Sequence, residues 1–253
     1  MAKEKKETPI TPSVQSMIEA TKSRAEFSGH GNAKGAAGYR NPDVNDYEGS
    51  CEFLTEPGHS IAINPQERGY EGIRISVAWD NVQVQEAGLM GKLFKKVRNI
   101  GVDIDVGCLY ELKDGTRGAI QAFGKKFGSY DEPPYISLSG DERTGDSKGK
   151  DEHLQINGKK WNEIEKVLIY VYIYEGAGDF EDVKPQVIID IPGENDLVVV
   201  LGDNHDKLDL CAVAELHNTR GGIKLTNCSE YFSGHEGMDR AFGYGLEWGD
   251  GEK

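Results

Sequence analysis

Absences narrow the reading of this 253-residue sequence before any motif does. No apolar run approaches the roughly 20 residues that a membrane-spanning helix needs. The four cysteines, Cys51, Cys108, Cys211 and Cys228, include no CxxC pair, so neither a structural zinc site nor a disulfide framework is expected. Cys108 and Cys211 stand in apolar runs, where cysteine usually serves as a small core residue. The six histidines, His30, His59, His153, His205, His217 and His235, form no HExxH pair. Gly29, Gly31 and Gly35 give GxGxxxG, one residue longer than the dinucleotide fingerprint, with no strand pattern before it and no GK[ST]. Phosphate binding there is not expected. The opening MAKEKKETPITPS is polar and has none of the apolar core of an export signal. Together with the unpaired cysteines this predicts a soluble protein of the reducing cytoplasm. Basic residues are the minority: 29 Lys and Arg against 43 Asp and Glu, a formal charge of −14. Such a surface repels nucleic acid and anionic membranes and attracts cations, although solubility alone also accounts for it.

What the chain has in abundance is glycine, 32 residues, which suits many tight turns between short strands. Residues 1–45 differ from the rest, with charge clusters, small residues and the stretch GHGNAKGAAGYRNP. A flexible N-terminal arm is predicted there, with one short helix around Val14 to Phe27. Residues 46–253 form the second unit, where strand signals follow one another. In GIRISVAWD, Ile73, Ile75, Val77 and Trp79 alternate with Arg74 and Ser76. In GVDIDVGCLYEL, Val102, Ile104 and Val106 alternate with Asp103, Asp105 and Gly107. PYISLS, QVIIDI, DLVVVL, KLDLCAVAEL and GIKLTN read the same way, and KVLIYVYIYE is apolar on both faces, as a central strand would be. Turn residues at Asp114–Gly115, 192–196, 202–204 and 220–222 separate them. The pattern predicts an all-β fold of about eight to ten strands. Helix signals are few. LMGKLFKKVRN (89–99) reads as a short helix or a basic loop, and GHEGMDRAFGYGLEW (234–248) as beginning with one helical turn.

Two features carry chemistry. The segment GDERTGDSKGKDE, residues 140–152, holds five carboxylates, Asp141, Glu142, Asp146, Asp151 and Glu152, and is punctuated by Gly140, Gly145 and Gly149. Calcium takes six to eight oxygens from carboxylates and carbonyls, and a glycine-rich acidic loop can present both. A solvated turn is the alternative. The spacing is not that of an EF-hand. Asp103 and Asp105 are two apart in a strand and so share a face, opposite Val102, Ile104 and Val106. They are either cation ligands or an ordinary solvent-facing edge. Asp80, after the strand ending in Trp79, is a third candidate, or a common turn aspartate.

The order of these pieces resembles that of the tellurium-resistance TerD-like family. An apolar strand ends in Trp79–Asp80, an acidic strand follows as VDIDVGC, and then comes GDxxTG (Gly140, Asp141, Thr144, Gly145) leading to Asp151–Glu152. IYEGAGDFEDV and CAVAELHNTRGGIKL complete the series. The ending GHEGMDRAFGYGLEW resembles the TerA branch more than TerD itself. The likeness covers about residues 60–248. It implies a two-sheet β-sandwich that binds Ca2+, one or two ions, in one acidic pocket. Carried over by position, the implied ligands are Asp80, Asp103, Asp105, Asp141, Asp151 and Glu152, with Glu142 where the family has asparagine. Lys150 replaces one family carboxylate, which suggests one ion or weaker binding, and Glu175 stands where the family has an aspartate after the central strand.

The resemblance further implies a non-enzymatic role in tellurite and stress resistance. The partners implied are other proteins, family members or further copies of the chain, in assemblies that include peripheral membrane-associated ones. The alternatives from the residues are a Mg2+- or Mn2+-dependent hydrolase using the clustered carboxylates, or a structural subunit of a larger assembly. Neither a nearby base beyond His153 nor a basic clamp beyond Lys92, Lys95, Lys96 and Arg98 supports the hydrolase.

Overall fold

The computed structural model describes residues 51–65, 69–79, 82–85, 97–100, 102–139, 152–176, 180–202 and 208–249. The predicted arm (1–45), its helix and the glycine stretch lie outside these residues, as does 140–151.

Two β-sheets face each other. One has the order β1 (Cys51–Phe53), β13 (Asp196–Val200), β12 (Gln186–Asp190), β3 (Ile73–Ala78), β10 (His153–Ile156), β9 (Ile136–Leu138) and β8 (Gly128–Ser129). The other runs β2 (Ser60–Ile63), β15 (Gly222–Phe232), β14 (Leu210–Thr219), β11 (Ile164–Glu175), β6 (Asp103–Leu112) and β7 (Arg117–Ile120). All pairings are antiparallel except β1 with β13. A separate two-stranded ribbon joins β4 (Val82–Gln85) to β5 (Val97–Ile100). The helix-or-loop reading of 89–99 is therefore corrected at its end, since Val97–Asn99 are strand; residues 86–96 are outside the described set. The all-β two-sheet sandwich is as expected. Its fifteen described strands exceed the eight to ten read from the sequence, because pieces such as β1 and β8 are too short to show alternation.

Between the sheets lies a core of Ile73, Ile75 and Val77 from β3, Ile104, Val106 and Cys108 from β6, and Val167, Ile169 and Val171 from β11. Arg74, between two of these, is exposed, as the period of two requires. Hairpin chemistry sets the register. Arg220 and Gly221 both have positive φ (55° and 88°), which fits the twist of the two-residue β14–β15 turn. At the β6–β7 turn, Asp114 Oδ1 accepts the N–H of Thr116 at 2.9 Å, and Gly115 sits at φ 86°.

β11 is apolar on both faces for a specific reason. Leu168 and Tyr170 point away from the inter-sheet core into a second cluster with Leu109, Ala119, Leu210, Ala212, Met238 and Tyr244. The cover is the C-terminus: helix α2 (His235–Phe242), which follows the one-turn α1 (Phe180–Val183), and the tail after it. α2 has eight residues rather than one turn, and it ends at Gly243 in the left-handed conformation. Asp239, only 3% exposed, clasps the tail. Its Oδ1 accepts the N–H of Gly245 at 2.7 Å, and its Oδ2 those of Leu246 (2.7 Å) and the Trp248 indole (2.9 Å). Lys166 adds a bond to the Phe242 carbonyl at 3.1 Å and lies 4.0 Å from the centre of the Tyr244 ring.

Candidate metal centre

The acidic strand is β6, and its first half differs from its second. β7 pairs with β6 only from Cys108 to Glu111, so Asp103 to Gly107 lie past the end of that ladder. Glu152, the residue before β10 in the opposite sheet, reaches across to this stretch. Its Oε2 accepts the N–H of Val106 at 3.1 Å. Three of the sequence-implied ligands are thereby placed: Asp103, Asp105 and Glu152 are 8%, 3% and 1% exposed. The solvent-facing alternative for Asp103 and Asp105 is overturned. They do point away from Val102, Ile104 and Val106, which are core residues, yet they are enclosed themselves. Asp80, Asp141, Glu142 and Asp151 are outside the described residues.

On β11, Glu175 stands opposite Asp103, Tyr172 opposite Asp105 and Tyr170 opposite Gly107. Glu175, the residue singled out as the family's displaced aspartate, is thus next to the acidic strand, although its side chain is exposed. Gly107 is required: a Cβ there would overlap the Tyr170 ring. The Tyr170 hydroxyl donates to Gln121 Oε1 at 2.6 Å. Burial pushes that phenol well above its ordinary value, and Cys108, Asp105 and Glu152 raise it further. Burial also raises Tyr172, with Asp209 and then Asp105 adding to it. Asp105 and Glu152 thus act on the same phenol, Tyr170, from different sheets.

Carboxylate oxygens suit a hard cation such as calcium in kind. In number they fall short, because among the described residues no three His, Cys, Asp or Glu side chains converge tightly enough to hold an ion alone. His153, beside Glu152, begins β10 and donates its backbone N–H to Ser139 Oγ at 2.8 Å.

An aromatic cage adjoining the carboxylates had no recognisable sequence signal. His235, the first residue of α2, sits among Tyr170, Tyr172, Phe123 and Trp248 at ring-centre distances of 5.1, 5.4, 5.9 and 5.1 Å. Its Nε2 is buried without a hydrogen-bond partner, and burial lowers its pKa to about 4. Four aromatic residues from three segments meet around His235, so no local spacing announces it.

No family model matches the chain. It is 37% identical over 200 residues to the tellurium resistance protein TerA of an Alcaligenes species, a match covering 79% of this chain and 58% of that protein. The chain thus spans well under two thirds of the length of this curated relative. Among solved structures, a homologue of the telluride resistance protein TerD from Streptomyces coelicolor A3(2) aligns with 68% of this chain and 95% of its own, at 18% identity and a TM-score of 0.46. A protein of unknown function aligns with 71% of this chain and 99% of its own, at 16% identity and a TM-score of 0.45. By the sequence match, most of the chain is similar to a tellurium resistance protein named TerA, in keeping with the resemblance read from the sequence.

Proposed function

We propose that this protein is a calcium-binding, non-enzymatic module of tellurite and stress resistance that acts through calcium-dependent association with other proteins. The observation that supports it best is the enclosure of Asp103, Asp105 and Glu152 at one end of the sandwich, with Glu152 reaching from one sheet to the edge of the other. Enclosing several carboxylates near one another is costly unless positive charge or donors compensate. In this reading Asp103, Asp105 and Glu152 supply the scaffold-borne oxygens, and Asp80, Asp141, Glu142 and Asp151 supply the remainder from the adjoining segments. A bound calcium ion supplies the positive charge that holds these strand ends together. The carboxylates would repel tellurite, an anion, so direct detoxification at this site is not part of the reading. The partners are family members or further copies of the chain, in a cytoplasmic setting that includes peripheral membrane-associated assemblies.

Calorimetric titration with CaCl2, with thermal melting alongside, tests this. Calcium at about 100 times its Kd should add about 2.7 kcal/mol of stability. Asp105→Asn and Asp141→Asn should each lose most of that gain. If Mg2+ or Mn2+ outcompetes calcium and phosphodiester cleavage accompanies it, the hydrolase alternative replaces this one.

A further inference from the structure

We propose that β2 (Ser60–Ile63) is a docking edge for a second copy of this chain, paired antiparallel about a two-fold axis at Ile61. Such pairing gives the association with further copies a surface of its own, and it does not depend on calcium. β2 is the outermost strand of the second sheet among the described residues, paired with β15. The carbonyl of His59 accepts the N–H of Asn227, on β15, at 2.9 Å. Backbone groups alternate sides along a strand. Those of Ile61 and Ile63 therefore face β15, and those of Ser60 and Ala62 face outward, where no described strand takes them up. Ser60 and Ala62 are both exposed.

Sheet edges are usually protected by charge, by proline or by shortness. The other described edges of the two large sheets have such protection: β1 carries Glu52, β7 carries Arg117, and β8 has two residues. β2 has none of these. From Pro57 to Pro65 the chain has no Asp, Glu, Lys or Arg, and both prolines lie outside the strand. In a chain of formal charge −14, this is a stretch where two like-charged copies can approach closely.

The edge is also self-complementary. A two-fold axis at Ile61 sets Ser60 opposite Ala62 of the second copy, and Ala62 opposite that copy's Ser60. Both are outward-facing pairs, so each exchanges two backbone hydrogen bonds. Ile61 then meets the second copy's Ile61 in a non-hydrogen-bonded position, where Cα atoms are about 4.5 Å apart and side chains are closest. Ile61 is half-buried, packs against the core and stands opposite Leu225 on β15. Pairing thus joins two six-stranded sheets into one and sets Leu225 and Ile61 of both copies in one apolar row. One short strand pair buries far less than the roughly 1,600 Å² of a standard interface, so the dimer is weak and concentration-dependent.

The test is sedimentation equilibrium of the full-length protein in EDTA, from about 10 μM to about 1 mM. The natural sequence should pass from monomer towards dimer over this range. Ala62→Pro removes an outward N–H and no bond to β15, and should stay monomeric while still folding. Under oxidation, Ile61→Cys should give a disulfide-linked dimer. Ser60→Cys should not, because the two copies of residue 60 are offset along the strands beyond disulfide reach. The natural sequence, with its four free cysteines, is the control. A natural sequence that is monomeric throughout overturns the pairing. So does a dimer that survives Ala62→Pro, or one that Ile61→Cys fails to trap. If Ala62→Pro does not fold, the trapping comparison decides. Because EDTA is present throughout, either result leaves the calcium reading to its own titration.

Discussion

Protonation of His235 should loosen the C-terminal cover of the sandwich, and the size of the effect follows from its surroundings. The imidazole is enclosed by Phe123, Tyr170, Tyr172 and Trp248, with Nε2 lacking a partner. Asp105 stands opposite Tyr172 on the adjoining strand, and Glu236, Asp239 and Arg240 are the charged residues of its own helix, Glu236 pairing with Arg240 at 2.7 Å. Burial takes its pKa from 6.5 to about 4. An unfolded chain binds the proton near 6.5 and the folded one only near 4, so the neutral imidazole's contribution is complete above about pH 6.5. It is lost as pH falls through about 4. At about 1.4 kcal/mol per tenfold change in proton affinity, the full loss is ~3 kcal/mol. Carboxylates titrate in the same range, so the comparison must be with His235→Phe, which keeps an aromatic ring but carries no proton. Urea unfolding at half-unit steps from pH 7.5 to 4 would show the natural sequence losing ~3 kcal/mol more than the variant. Parallel stability curves for the two proteins would refute the argument that burial holds His235 neutral.

Three other outcomes follow from the geometry. Asp105→Asn should abolish most of the calcium-induced rise in melting temperature while the protein without calcium melts no lower, because one enclosed negative charge is removed from the cluster. Asp239→Ala strands two backbone N–H groups and the Trp248 indole, and should cost about 3–5 kcal/mol by denaturant unfolding, with a change in tryptophan fluorescence. Gly107→Ala drives a methyl group into the Tyr170 ring and should cost about 1–3 kcal/mol, so an unchanged urea midpoint would show that the ring moves aside freely.

The period-two alternation in β3 and β6 was legible from the sequence because each strand has one face in the inter-sheet core, and the hydrophobic pattern records that burial directly. β11 was legible as a central strand for the same reason, its two apolar faces meeting two different cores. The pairing of Asp103 with Asp105 on one face also needed only the period of a strand. Chain order could not tell that both are enclosed. That depends on β7 stopping at Cys108, on Glu152 crossing from the other sheet, and on β11 setting Tyr172 opposite Asp105. The His235 cage depends likewise on contacts between residues far apart in the chain, such as Phe123 and His235, 112 positions apart. Local composition thus determined the strands and which of their faces are apolar, since each residue carries its own hydrophobicity. Only the tertiary structure decided which charges are removed from water, because burial is a property of what packs on top.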